Sequence, residues 1–297
     1  MLEKLPINLL KDLETERYID KWKEGIFICQ ISNQTEAIKA NSYYFGHPEW
    51  GNNYLAACHR DEKFIELWKA VINNWEGKII VDIGCGPGNV YASLKDHCGK
   101  PSQLLGVDVS LGALKIAQQI GYTPVLADAQ QLPFISKFAD IVVLNACLHH
   151  CDDMAKVLGE AARLVRPGGI LITDHDPQLT AYQFRGLGLL LWQVRLPLYR
   201  LLKRGGHSTK QEQIWGLAAE VHHKPGHGVT PELFHQVLTP LGFTVNLYPH
   251  NHRVGADALE GNYGRSFWRC RMAQRLSGIN PNSREAALSL MCIAHRQ

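Results

Sequence analysis

The eight cysteines (Cys29, Cys58, Cys85, Cys98, Cys147, Cys151, Cys270 and Cys292) include no Cys-x-x-Cys pair. In a chain of 297 residues this scatter argues against a disulfide framework and fits reduced thiols. The opening stretch, MLEKLPINLLKDLETER, lacks an apolar segment and carries acids early. It reads as neither a secretory signal nor a transit peptide. The longest apolar block, Leu187 to Trp192, is far too short to cross a bilayer. Internal repeats and low-complexity tracts are missing. So is a strong charge bias: the net charge is +3 and the pI about 8.4, and neither demands a polyanionic partner. The expectation is a cytoplasmic globular protein.

Hydrophobic residues make up 45% of the chain, enough to build a packed core. The length suits one large α/β domain or a domain with an elaborated cap. Residues 1–40 look like amphipathic helical material, and a turn-prone aromatic stretch follows (Tyr43, Tyr44, Phe45, Gly46, His47, Pro48, Trp50). Residues 60–75 show helical spacing of Phe64, Ile65, Leu67, Trp68, Val71 and Ile72.

From residue 78 the period changes. KIIVDIG, LLGVDVS (104–110), TPVLADA (123–129), ADIVVLNA (139–146) and GILITDHD (169–176) are short apolar runs separated by helical segments. Ser110 and Asp152 are positioned as helix caps, and Arg166-Pro167-Gly168-Gly169 stops a helix. This alternation predicts a parallel sheet with helical crossovers. Residues 177–229 and 250–283 interrupt it. Between them, Thr230 caps a helix with Pro231 in its first turn, and a strand runs from Phe243 to Tyr248. A last apolar run spans Ala287 to Ala294.

The most informative segment is Val81-Asp82-Ile83-Gly84-Cys85-Gly86-Pro87-Gly88. Its glycines let the backbone turn tightly and approach a ligand, and ligands of open α/β sheets sit at the carboxyl ends of the strands. A dinucleotide fingerprint needs G-x-G-x-x-G, but here Asn89 stands where the last glycine belongs. Asp108 ends the second strand, where a carboxylate can accept from two ribose hydroxyls. Asp128 ends the third, where an acid can accept from an exocyclic adenine amine. Asn145 ends the fourth. Cys85 has no adjacent base and reads as a small loop residue.

In this order the motifs resemble those of the class I S-adenosylmethionine (SAM)-dependent methyltransferases, especially the group that includes the ubiquinone-biosynthesis type. The resemblance covers residues 78–176. It implies a Rossmann-like, doubly wound, mostly parallel seven-stranded sheet with an antiparallel last strand near 287–294, plus helical cap or lid insertions. It further implies SAM as cofactor, S-adenosylhomocysteine as product, and Asp82, Gly84, Gly86, Gly88, Asp108, Val109, Asp128, Ala129 and Asn145 as the residues that hold them. The implied organisation is an N-terminal helical or lid segment (1–60), a SAM-binding core (61–176), a lid insertion (177–229) and a C-terminal completion of the sheet (230–297).

The expected reaction is methyl transfer to an N or O atom of a small-molecule acceptor. Two alternatives accompany it: a membrane-associated methyltransferase for a quinone or lipid, and a SAM-binding protein without transferase activity. A nicotinamide oxidoreductase is disfavoured by Asn89 and Asp128. Nucleic acid is not expected, because Asn145 is followed by Ala146, Cys147 and Leu148 rather than the Pro-Pro-aromatic run of base-amine methylases. His150 and His175 are the candidate bases. Cys147, His149, His150 and Cys151 sit in one short turn without a second ligand pair, so no metal is expected. His222, His223 and His227 either line the pocket from above or form a solvated loop. Residues 185–210 hold Arg185, Arg195, Arg200, Lys203, Arg204 and Lys210 and no acid. They read as an interfacial helix, a lid, or a helix packed on the core with a basic outer face. Tyr43, Tyr44 or Trp50 would meet the SAM sulfonium or pack in the core.

Overall fold

The computed structural model describes residues 9–10, 22–31, 33–47, 49–50, 61–202 and 209–297. The strands are β1 (Trp22–Lys23), β2 (Ile26–Ile28), β3 (Ile79–Ile83), β4 (Gln103–Asp108), β5 (Thr123–Leu126), β6 (Ala139–Asn145), β7 (Val165–Asp174), β8 (Phe243–His250) and β9 (Ser289–Arg296). They make one sheet in the order β1-β2-β5-β4-β3-β6-β7-β9-β8. Strands β2 to β7 pair in parallel. The final strand β9 runs antiparallel between β7 and β8, as the sequence implied.

The sheet has nine strands among the described residues, not seven. The two additions come from the N-terminal region read as helical. Glu24 and Gly25 both take positive φ (54° and 78°), which reverses the chain into a β1–β2 hairpin. Ile26 and Phe27 are then fully buried, with Phe27 registered against Val125 of β5.

Helices cover both faces of the sheet. The main ones are α1 (Glu36–Gly46), α2 (Glu62–Ile72), α3 (Asn89–Leu94), α4 (Leu111–Ile120), α5 (Met154–Leu164), α6 (Gly186–Leu202), α7 (Lys210–Ala219), α8 (Pro231–Leu238) and α9 (Trp268–Leu276). Successive strand residues point to opposite faces. Val81, Val107, Val142 and Leu171 meet Val157, Leu158 and Ala161 of α5 and Phe234 of α8. Ile80, Val143 and Ile172 meet Leu67 and Trp68 of α2, Leu94 of α3 and Leu114 of α4. Each fully buried aliphatic or Phe side chain contributes about 1.5–3 kcal/mol.

Ser110 caps α4 by accepting from the Ala113 amide, and Thr230 caps α8 by accepting from Leu233. The cap of α5 is Asp153, not Asp152. Asp152 lies one residue too far out and instead accepts from the Thr35 hydroxyl (2.7 Å), the cap residue of α1. The aromatic stretch from Tyr43 to Gly46 is not a turn but the end of α1. Residues 177–229 hold α6 and α7 as well as irregular chain.

The end of α1 meets the start of α4 through two glycines. A Cβ at Gly112 would lie 2.3 Å from the Gly46 carbonyl oxygen and 2.6 Å from its Cα, both backbone atoms. We expect Gly112→Ala to destabilise the protein by about 1–3 kcal/mol through this overpacking. Gly159 inside α5 is the contrast, since an added Cβ meets only Val237, at 4.0 Å. Gly159→Ala should stabilise by up to about 1 kcal/mol through helix propensity. Denaturant midpoints of the two variants check both signs.

Candidate active site

The carboxyl ends of β3, β4, β5 and β6 surround a cleft of about 850 Å³, part of it open to solvent. The loop after β3 forms its floor. Gly84, Gly86 and Gly88 all have positive φ (66°, 52° and 89°). A Cβ at Gly86 would meet nothing within 4 Å, so the backbone there borders open space. A Cβ at Gly88 would come within 2.9 Å of the Tyr122 ring, so this glycine makes room for an aromatic side chain. Gly88 itself does not line the cleft; Gly84 and Gly86 do.

The three acids stand at the strand ends where the sequence put them. Asp82 is buried, and its Oδ2 accepts from the Tyr122 hydroxyl (2.6 Å). Burial raises its pKa to about 7, against the pull of the Tyr122 hydrogen bond and with a further push from Asp108. Asp108 accepts from the Gly86 amide (2.9 Å) and the Ser110 amide (2.8 Å). Burial raises its pKa, and these amides partly offset the shift. Asp128 accepts from the Gln130 amide (2.9 Å). Val109, Ala129 and Asn145 line the same cleft. Asp82 Oδ1, Asn89 Oδ1 and Asn145 Oδ1 are buried and have no hydrogen-bond partner among the described residues. Buried acceptors are costly when unpaired. A ligand that brings ammonium and hydroxyl donors over an open glycine floor matches this need, and SAM is such a ligand.

The two candidate bases part company. His150 lines the cleft, with its Nδ1 2.9 Å from the Ala219 carbonyl oxygen. A carbonyl only accepts, so Nδ1 carries the proton and Nε2 keeps the lone pair. Burial lowers the pKa of this ring to about 3, with His149 adding to the shift.

His175 is outside the cleft. Its φ of 59° turns the chain at the end of β7. The ring packs near Phe64 and His252, and Nδ1 lies 3.0 Å from Asp174. Asp174 continues the face of Ile170 and Ile172, towards Trp68 and His250. The acid of this triplet that turns towards the β6 side is Asp176, which accepts from the His149 amide (3.0 Å) and pairs with its Nδ1 (2.8 Å).

The aromatic expectation is also corrected. Tyr43, Tyr44 and Trp50 do not line the cleft. Tyr43 packs on Trp215, Tyr44 on Trp50, and the residue that faces inward is Phe45, with its ring 5.4 Å from that of His150. Ile38 and Asn41 of α1 line the cleft beside it. Asn41 donates to the carbonyls of Ala37, His150 and Ala219, which joins α1, the turn after β6 and the end of α7. Its position within a helix carried no motif.

Residues 81–173 match a family described as a methyltransferase domain. A demethylmenaquinone methyltransferase of Geobacillus kaustophilus is 27% identical over 213 residues, covering 69% of this chain and 87% of the relative. A tRNA (carboxymethyluridine(34)-5-O)-methyltransferase of Arabidopsis thaliana is 37% identical over 101 residues, or 33% of this chain and 24% of that protein. Among solved structures, the plantazolicin methyltransferase BamL, in complex with a triazolic analogue and SAH, aligns with a TM-score of 0.51 at 18% identity. That alignment covers 88% of this chain and 95% of BamL, and it shows a common fold. The motif order, the glycine-floored cleft and the matched region agree: residues 81–173 form a methyltransferase domain of the SAM-dependent type.

Proposed function

We propose that the protein methylates an N or O atom of a small-molecule acceptor held between the glycine loop and His150. The observation that carries this reading is the cleft itself. It is lined by the unpaired buried acceptors of Asp82, Asn89 and Asn145, by the ring of His150, and by the α1 side chains Ile38, Asn41 and Phe45. Bound SAM supplies an electrophilic methyl group on a sulfonium. Asp108 would accept from the ribose hydroxyls, and Asp128 and Ala129 would border the adenine. Asp82, Asn89 and Asn145 offer acceptors for the ammonium. Val109 and the backbone of Gly84 and Gly86 complete the cradle, with Gly88 shaping it through Tyr122.

His150 is neutral at physiological pH, so Nε2 can accept a hydrogen bond from an acceptor hydroxyl or amine and orient its lone pair. The low basicity favours positioning over full proton removal, and positioning alone is a large source of rate. The helix α7 packs against α1, whose side chains line the cleft, so the segment 177–229 would back this wall as a lid.

A second reading has its own observation. The outward face of α6 is apolar rather than basic: Leu187, Leu190, Val194, Leu198 and Leu201 are all exposed. Arg195 folds back over the Trp192 ring, 3.5 Å from its centroid. No helix among the described residues is long and apolar enough to cross a membrane. An exposed apolar stripe suits a quinone or lipid acceptor drawn from a membrane surface. Co-sedimentation with anionic vesicles, lost in Leu190→Gln/Leu201→Gln, would favour this reading. Absence of co-sedimentation in the parent protein would remove it.

Calorimetric titration with SAM, S-adenosylhomocysteine and NADH tests the cofactor site. Both sulfur ligands should bind, NADH should not, and Asp108→Ala should weaken binding by roughly 10- to 100-fold, as expected for charged hydrogen bonds worth about 1.5–3 kcal/mol. Binding of NADH alone, or unchanged affinity in Asp108→Ala, would count against these roles. The raised pKa of Asp82, about 7, sets a second expectation. SAM affinity should increase from pH 6 to pH 7.5 as the carboxylate ionises opposite the ammonium, and Asp82→Asn should flatten that increase. His150, with a pKa of about 3, should show no imidazole protonation above about pH 4 in an NMR titration. A midpoint near 6.5 would overturn the neutral-ring assignment.

A further inference from the structure

We propose that His149, Glu220 and His223 form a binding site for a divalent transition-metal ion of the zinc type, joining the turn after β6 to the segment after α7. The three side chains come from distant parts of the chain, and one ligand atom from each lies within 4.8 Å of the others. Nε2 of His149 is 4.0 Å from Glu220 Oε2, and His223 Nδ1 contacts the same carboxylate oxygen.

The strongest support is behind the first ligand. Nδ1 of His149 is 2.8 Å from Oδ1 of Asp176, a fully buried carboxylate that also accepts from the His149 amide. An ionised carboxylate only accepts, so Nδ1 is the protonated nitrogen. The lone pair of Nε2 is thereby aimed at Glu220 and His223. A buried carboxylate on the far nitrogen of an imidazole is the arrangement that orients metal-bound histidines.

Two imidazoles and one carboxylate are the donor set of three-ligand zinc sites with an open position, whereas Mg²⁺ and Ca²⁺ prefer all-oxygen shells. The set is also reachable. The His149 side chain is 7% exposed, but those of Glu220 and His223 are 28% and 31% exposed, which leaves a path for the ion and a water ligand. Tyr182 and Trp192 lie over His223, with ring centroids 5.0 and 5.9 Å away. The His149 ring is 4.0 Å from that of His150, so the ion would sit one ring away from the cleft and clasp the lid to the core.

The sequence argued against a metal because Cys147, His149, His150 and Cys151 share one turn. The partners of His149 instead come from beyond α7. The assignment stands apart from the acceptor reading, because it requires no methyl transfer.

Metal-stripped protein titrated with Zn²⁺ and Co²⁺, followed by calorimetry and by the visible d–d bands of Co²⁺, tests the site. One equivalent should bind. Glu220→Gln and His223→Ala should each weaken binding by about tenfold or more, and Asp176→Asn by roughly 10- to 100-fold. SAM binding by these variants shows that they are folded. Three outcomes overturn the assignment: no binding by the parent protein, binding by His223→Ala and Glu220→Gln as tight as that of the parent protein, or an intense thiolate-to-Co²⁺ band that identifies cysteine ligands. The first of these would leave the triad as a hydrogen-bonded ion-pair cluster only.

Discussion

Tyr122 stands beneath the glycine loop and holds the cleft in shape. Its ring occupies space that exists because Gly88 and Gly106 have no Cβ; an added Cβ would come within 2.9 and 2.6 Å of it. Its hydroxyl donates to Asp82 and accepts from the Tyr91 amide in α3. One side chain thus ties together the ends of β3 and β4, the loop between β3 and α3, and the segment after α4. Burial raises the pKa of Tyr122 itself, and the Asp82 carboxylate raises it further, so the phenol keeps its proton and remains a donor. Asp82 can remain buried beside Asp108 because that donor compensates part of its desolvation.

The end of β7 divides a second group of polar residues. Strand alternation sends Asp174 to the face of α2, where it accepts from the Trp68 indole (3.1 Å) and contacts His250 Nε2 (2.7 Å). Burial opposes ionisation of Asp174, but the charges of His175 and His250 hold its carboxyl well below the usual range. Two residues on, Asp176 faces the other way and orients His149. Two carboxylates flanking one histidine therefore serve two separate clusters. The histidine between them belongs to the cluster away from the cleft.

The segment around the end of α7 and the core are joined by polar contacts at the turn after β6. His150 meets the Ala219 carbonyl, the His222 amide donates to the His149 carbonyl (2.8 Å), and Asn41 reaches both segments. These directional bonds fix the geometry of the cleft wall that carries His150 and Asn41.

The antiparallel last strand came from the family resemblance, while the sequence by itself determined the parallel sheet, the glycine loop and the acids Asp82, Asp108 and Asp128. These follow from local rules: apolar runs of strand length, backbone conformations open to glycine, and polar residues at strand ends. Cap positions at Ser110 and Thr230 were legible for the same reason. Tertiary structure alone decided the rest. The β1–β2 hairpin forms because β5 offers a free edge that hides Ile26 and Phe27. His150 rather than His175 meets the cleft because a positive φ after β7 turns the second ring away. Phe45 displaces its aromatic neighbours because α1 lies against α4 and α7 with one particular face inward. His149, Glu220 and His223 converge only when the segment after α7 returns over β6. Each outcome depends on which surfaces meet across long sequence separation, and a linear pattern of residue types does not encode that meeting.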